Sequence, residues 1–393
     1  MGQQGMSQRD IVEELSGSYE AFKRPEITTR RFTQNEMLGW LKPTVESGTV
    51  HVAPLGNSSE GRTISLYTYG EGSTKVLLWS QMHGDEPTAT MALLDILNFL
   101  ARRPECDVAR TIKSKLSLFL IPMLNPDGAE RFTRRTAQFV DMNRDAVALK
   151  TPEARILLEA QETYQPEFGF NLHDQEHRLT VGPSKNVTAI ALLAPAVDPS
   201  RSDNHVRRKA KKVASVFAEV VEQLVPGHCA KYDDTFEVRA FGDTVQKKGT
   251  STVLVESGGW QNDREKMFIR KLNYVGLLTS LYSIATGEYD QRDAEIYEHL
   301  PFNSKNLYDV IVRGVRFKAS PTVPAITVDI AFNLDEANQD PDRKRLIARV
   351  VDLGDLSPYG AFEEREGGGI TLSANEVQLE KVIPWEDALR LLK

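Results

Sequence analysis

The sequence predicts an α/β protein whose main sheet is covered by helices on both faces, followed by a smaller β-rich domain. Three observations lead there. Between about Lys75 and Ala285, short apolar runs of strand length alternate with longer amphipathic runs of helix length, the pattern of a sheet buried on both sides. After "ATGEYDQRDAEIYEHLPFNS" the texture changes to alternating, half-exposed strand patterns. The chain of 393 residues also exceeds the size at which one hydrophobic core usually stops growing. A division into residues 1–290 and 291–393 is therefore expected.

In chain order, "KVLLWS", "LSLFLIPM", "FGFNLH", "TAIALLAP" and "STVLVES" read as buried strands. The helices are expected near Thr88–Arg102, Pro152–Thr163, Asn204–Val225 and Arg264–Ala285. In the second domain, "LYDVIVRGVRF", "AITVDIAFNL" and "LIARVVDL" read as strands, broken by "NQDPDR" and "EREGGG" and closed by a short helical "WEDALRLLK". No histidine follows His299, so no metal site is expected there.

Composition narrows the function. A hydrophobic fraction of 40% and a charged fraction of 26% are ordinary for a globular protein with a sizeable core. A net charge of −7 argues against nucleic-acid binding, which needs a basic stripe. The one basic run, "RRKAKK" from Arg207 to Lys212, falls in a helical pattern and reads as a solvated face. Only Cys106 and Cys229 occur, too few for a disulfide framework or a cysteine-rich metal cluster, which suits a reducing compartment. "MGQQGMSQRDIVEELSG" lacks the basic start and apolar core of a secretory signal, and no run reaches the roughly 18 apolar residues of a membrane span. A cytoplasmic location is the resulting expectation.

Ligands bind beyond the carboxyl ends of the strands in such sheets, and His83, His173 and Glu256 all fall at or just after a strand. His83 and Glu86 lie in one turn and can reach one ion; two histidines, a glutamate and an open position make a catalytic zinc arrangement. Pro87 is expected at the first helical position, with Glu86 as N-cap and Asp85 as a helix-start acid facing solvent. For a third ligand, His173 is better placed than His51, His177, His205 or His228. His177 would share a face with His173 only in a helix, and here it follows a strand; His205 and His228 read as solvated helix ends.

With "HGDE", "NPDG" at Asn125 to Gly128, "VDMNRD", the strand-ending His173 and "VLVESGG" in this order, the chain resembles the zinc carboxypeptidases over roughly Leu55 to Glu288. That resemblance implies a three-layer α/β/α architecture with a mixed, mostly parallel central sheet. It implies one zinc ion held by His83, Glu86 and His173, the fourth position left to water as nucleophile. Glu256 would be the general base and acid, and Arg134 the residue steadying the oxyanion. Asn143 and Arg144 would grip the substrate's terminal carboxylate, and Asp141 would orient the first ligand histidine. Such a pair reads the end of a chain and not its middle, because a forked guanidinium and an amide match a free carboxylate.

The sequence departs from that family in the stretch "KYDDTFEVRAFGDTVQKKGTSTVLVES". No tyrosine falls at the place where digestive members carry one: Tyr232 is too early by direct counting, and Phe236 lacks the hydroxyl. Arg135 competes with Arg134 for its role. Asp233, Asp234, Arg239 and Asp243 either line the substrate channel or form a surface loop. The expected activity is removal of a C-terminal residue from a protein-derived or cell-wall peptide. Two alternatives are an N-acyl amino acid hydrolase on the same centre and a non-catalytic binding protein. Partners are thus a peptide or acylated amino acid with a free carboxylate, with neither nucleic acid nor membrane, and with self-association open through the C-terminal domain.

Overall fold

The computed structural model describes residues 6–336 and 345–391. The expected break "NQDPDR" lies outside the described residues. The chain forms two compact units, Met1–His177 with Thr188–Asn303, and Arg178–Val187 with Ser304–Lys393. The first unit thus runs past the expected division at residue 290. Tyr297 explains why: it is buried, its hydroxyl accepts from Ala194 N at 3.0 Å, and its own N–H donates to Ser215 Oγ at 3.2 Å.

In the large unit the strands are β1 (His51–Asn57), β2 (Thr63–Tyr69), β3 (Thr74–Ser80), β4 (Leu116–Ile121) and β5 (Phe168–Asp174). β6 (Thr180–Val181) falls in the Arg178–Val187 part of the small unit, and the large unit continues with β7 (Ile190–Leu193), β8 (Cys229–Lys231) and β9 (Ser251–Ser257). All but β6 form one eight-stranded sheet in the order β1-β2-β4-β3-β5-β9-β7-β8. β3 pairs parallel to β4 and β5, β5 to β9, and β7 to β8, whereas β1, β2 and the β7–β9 pairing are antiparallel. The expected mixed, mostly parallel sheet is present. The unpredicted edge strand β1 and its neighbour β2 add antiparallel pairings at one side of the sheet, and β7 adds another against β9.

The helices are α1 (Gln8–Phe22), α2 (Gln34–Glu46), α3 (Thr88–Arg102), α4 (Asp107–Lys115), α5 (Pro126–Arg131) and α6 (Pro152–Tyr164). They are followed by α7 (His205–Leu224), α8 (Phe241–Lys247), α9 (Met267–Thr286) and α10 (Glu295–Glu298). Local chemistry sets several starts. Thr33 and Glu36 form a reciprocal capping box on α2, and Thr151 caps α6 with Pro152 behind it.

Strand alternation divides the core into two layers. Val76 and Leu78 of β3 join the cluster built with α3, α7 and α9; Leu77 and Trp79 join the cluster with α6 and α8. The same alternation matters at the strand ends. Leu172 and Val255 enter the first layer, so His173 and Glu256 face the second. A buried bidentate pair, Arg270 with Asp95 at 2.7 and 2.6 Å, ties α9 to α3. Tyr19 and the backbone N–H of Arg24 donate to the same carboxylate, anchoring α1 and the chain after it.

In the small unit β11 (Leu307–Lys318), β12 (Ile326–Glu336) and β13 (Leu346–Gly354) form an antiparallel core; the short β10 (Asn303–Ser304) pairs with β6. β14 (Gly360–Glu366) and β15 (Thr371–Ser373) add parallel to β11, and β16 (Val382–Pro384) adds to β13 before α11 (Trp385–Leu391). Val312, Val315, Ile330, Phe332 and Val350 fill its interior. This unit is β-rich as expected. No helix among the described residues is long and apolar enough to cross a membrane.

Candidate functional site

The loop after β3 carries His83 and Glu86, and its path is fixed by contact with the "NPDG" turn. A side chain added at Gly84 would lie 2.0 Å from the Gly128 backbone, so only glycine fits. Asn125 caps α5 by accepting from Gly128 N at 2.9 Å and donates to Met82 O at 3.2 Å. Asp127 is fully buried and accepts from Ser58 Oγ, Glu60 N and Arg62 Nη1. "NPDG" therefore braces the loop rather than facing a ligand.

α3 begins at Thr88, with Pro87 in the cap position, one residue later than the sequence suggests. Glu86 is accordingly not the cap. Its carboxylate turns between two imidazoles: His83 Nδ1 lies 2.8 Å from Oε1 and His173 Nδ1 lies 2.7 Å from Oε2. All three residues are buried, and their donor atoms lie within 4.8 Å of one another. Asp85 does not face solvent freely; it is half-buried, and burial, then the charge of Glu86, raise its carboxyl.

These atoms fit a cation. His83 Nε2 is 3.1 Å from Asp141 Oδ1, so a proton on that nitrogen has its acceptor. The Nδ1 lone pair then points at a carboxylate oxygen, and two electron-rich atoms at that distance need a proton or a cation between them. Electrostatics agree. Burial pulls His83 down, but Glu86 and Asp141 overcome it and raise the imidazole to about 9. Burial also opposes ionisation of Glu86, yet the two histidines hold it well below the usual carboxylate range. His173 is lowered, with burial outweighing Glu86. Two nitrogens and a carboxylate are the donor set of a catalytic zinc site.

His173 and Glu256 are register partners on the parallel strands β5 and β9. Burial, then the charge of Glu86, push Glu256 up to about 8. One of its oxygens, Oε2, is buried without a hydrogen-bond partner. Arg134 reaches this centre: its Nη1 is 3.1 Å from both Glu86 Oε1 and His83 Nδ1, and its Nε donates to Asp141 Oδ2 at 3.1 Å. Arg135 instead donates to Phe139 O on the surface.

Asp141 also accepts from Asn143 N at 3.0 Å and caps the 3-10 turn Met142–Arg144. Asn143 Oδ1 accepts from Phe241 N at 2.9 Å, which leaves its Nδ2 as the donor for a ligand. Arg144 is on the rim, its Nε 3.6 Å from Glu237 Oε2. The arginine and asparagine expected to hold a terminal carboxylate thus share one turn with Asp141.

Tyr232 is the residue that sequence reasoning set aside. It follows β8, is half-buried, and its hydroxyl is raised to about 12, first by the charge of Glu256 and then by burial, with Glu86 contributing. Counting along the chain could not find it, because the stretch before β9 folds into α8. In that stretch Asp234 pairs with Arg201 and Arg207, Asp243 is buried, and Arg239 grips Glu237. Asp233 is exposed and caps Thr235.

Other histidines lie elsewhere. His51 and His205 are exposed, His177 is 3.1 Å from Glu176, and His228 is half-buried against Trp260. The basic run departs from expectation: Arg207 and Lys211 are buried, one on Ala194 O, Arg201 O and Asp234, the other on Asp203 and Glu298. Four-residue spacing puts both on the inner side of α7.

Comparison with known proteins places this geometry in context. Residues 38–150 match the sequence model described as zinc carboxypeptidase. That segment holds His83, Glu86, Arg134, Asp141, Asn143 and Arg144; His173 and Glu256 lie beyond it. Carboxypeptidase 2 of Trichophyton rubrum is 28% identical over 256 residues, covering 62% of this chain and 45% of its own length. The chain spans less than half the length of the curated fungal relatives it matches. A metallo-carboxypeptidase from Burkholderia cenocepacia shares the fold with a TM-score of 0.52 at 18% identity, over 65% of this chain and 70% of that one. The Pseudomonas aeruginosa metallo-carboxypeptidase bound to (2-guanidinoethylmercapto)succinic acid gives a TM-score of 0.51 at 18% identity, over 64% and 69%.

Proposed function

From a chain that is a relative of the zinc carboxypeptidases, we propose a peptidase that removes the C-terminal residue of a peptide, using one zinc ion held by His83, Glu86 and His173. The observation that carries this reading is the Glu86 carboxylate set between two imidazole Nδ1 atoms, with Asp141 behind His83. Zinc, when bound, supplies Lewis acidity toward the scissile carbonyl and the attacking water.

The chain's own residues supply the rest. Glu256 is a buried carboxyl tuned to about 8, suited to taking a proton from water and returning it to the leaving amine near neutrality. Arg134 offers N–H donors to charge developing on the carbonyl oxygen. Asn143 Nδ2 and the Arg144 guanidinium hold the terminal carboxylate, and Tyr232 presents a hydroxyl on the Glu256 side.

The test combines metal content with turnover. Protein purified without added metal is assayed by elemental mass spectrometry and then with benzoyl-glycyl dipeptides differing in the last residue. One equivalent of zinc and release of the terminal amino acid support the reading. Glu256→Gln should keep the zinc and lose at least about a hundredfold in kcat. Zinc binding without turnover of any peptide would remove the peptidase reading, and no binding of supplied zinc would remove the metal centre itself.

A further inference from the structure

Behind the centre lies a buried polar chain. Asp174, directly after His173, accepts from Thr88 Oγ1 at 2.5 Å and from Lys266 Nζ at 3.2 Å. Its own N–H donates to Glu86 Oε2 at 3.3 Å. Lys266 Nζ also donates to Ser257 O at 3.0 Å and Gln175 O at 3.4 Å. An ammonium has three protons, and here it has three acceptors.

The acceptors are not scattered. Asp174 and Ser257 are the last residues of β5 and β9, each one position after His173 and Glu256. Thr88 opens α3, two positions after Glu86. Lys266 is itself buried and adopts a left-handed backbone, φ 55° and ψ 31°, directly before α9. A non-glycine residue in that region is uncommon and persists where the surroundings fix it. Asn273 of α9 adds a bond to Ser257 Oγ at 2.9 Å.

We propose that Lys266 is a positioning residue: with Asp174 as its counter-ion, it pins the ends of β5 and β9 and so fixes His173, Glu86 and Glu256 relative to one another. This rests on the metallopeptidase reading. The ammonium touches none of the three. It acts through the backbone of the strands that present them, and Asp174 passes the constraint to α3. Groups hydrogen-bonded to a metal's ligands, as the Asp174 N–H is to Glu86, typically change affinity or activity ten- to a hundredfold when lost, and Lys266, one step further out, is expected at the low end of that range.

Lys266→Met keeps side-chain length and the same left-handed backbone demand, but strands the Asp174 carboxylate. The double variant Asp174→Asn/Lys266→Met removes both charges together and is the variant to rely on if the single one does not fold, since a buried pair replaced as a unit is often tolerated. Three quantities are read on full-length protein: zinc affinity by chelator competition, kcat and KM on a benzoyl-glycyl dipeptide, and thermal unfolding. The expected result is zinc binding weakened at least about tenfold and kcat lowered at least about tenfold, KM staying within about twofold, per folded molecule. Lys266→Arg should recover part of the loss. Wild-type zinc affinity and kcat in a folded double variant would overturn the proposal, as would losses that only track the unfolded fraction. If the wild-type protein binds zinc but cleaves no peptide, the peptidase reading fails, while the zinc arm still decides the role of Lys266.

Discussion

His83 presents opposite edges of one ring to two carboxylates, Nδ1 to Glu86 at 2.8 Å and Nε2 to Asp141 at 3.1 Å. Asp141 is held well below the usual carboxylate range: burial opposes its ionisation, but His83 and Arg134 overcome it. An ionised acceptor on Nε2 makes Nδ1 a better electron-pair donor. Asp141→Asn should therefore weaken zinc about ten- to a hundredfold by chelator competition without unfolding the protein. Unchanged affinity would show that Asp141 serves Arg134, Asn143 and the 3-10 turn rather than the metal site.

Arg144 stands 3.6 Å from Glu237, and Arg239 donates to both oxygens of that carboxylate. In the proposed role of Arg144, a substrate carboxylate would have only to draw it from a partner already satisfied by Arg239. Arg144→Met should raise KM roughly ten- to a hundredfold with little change in kcat, the loss of one charge-assisted interaction. It should also erase the preference for a free carboxylate over a C-terminal amide. A variant that keeps that preference would place the carboxylate elsewhere.

Asp243 is buried and its carboxyl is pushed up to about 7, chiefly by burial. The folded state therefore holds a proton that the unfolded state releases near pH 4. Between pH 4 and 7 the unfolded chain binds fewer protons at this position, so the contribution of Asp243 to stability falls as pH rises and levels off above 7. Asp243→Asn escapes this loss. Its advantage in urea unfolding should grow from pH 4 to pH 7 and approach at most about 4 kcal/mol, at about 1.4 kcal/mol per tenfold change in proton affinity. An advantage independent of pH would mean that Asp243 ionises freely in the folded protein.

Much of this architecture is legible in the sequence where burial is strongest. β3, β5 and β9 are continuous apolar runs, and α3 spans Thr88–Arg102 as its periodicity predicts. β1 is missed because "HVAPLGN" is an exposed edge strand carrying Pro54 and Gly56, with a bulge between them and little apolar signal. His83, Glu86 and His173 are legible because each is tied to a strand end. Tyr232 is not, because α8 intervenes in the chain between it and Glu256, whose charge acts on its hydroxyl. Arg207 and Lys211 read as solvated because charge alone does not reveal partners such as Asp234 and Glu298, which come from distant segments.

The backbone contact at Gly84 and Gly128 has a consequence for anyone redesigning this protein. The two glycines belong to motifs separated by the whole of α3, α4 and β4, yet they occupy one volume. A library that varies the His83 loop while freezing the Asn125 turn will sample mostly chains that cannot close, and a loop grafted from a homologue will be accepted only with its matching turn. For recombination purposes these distant segments form a single heritable block.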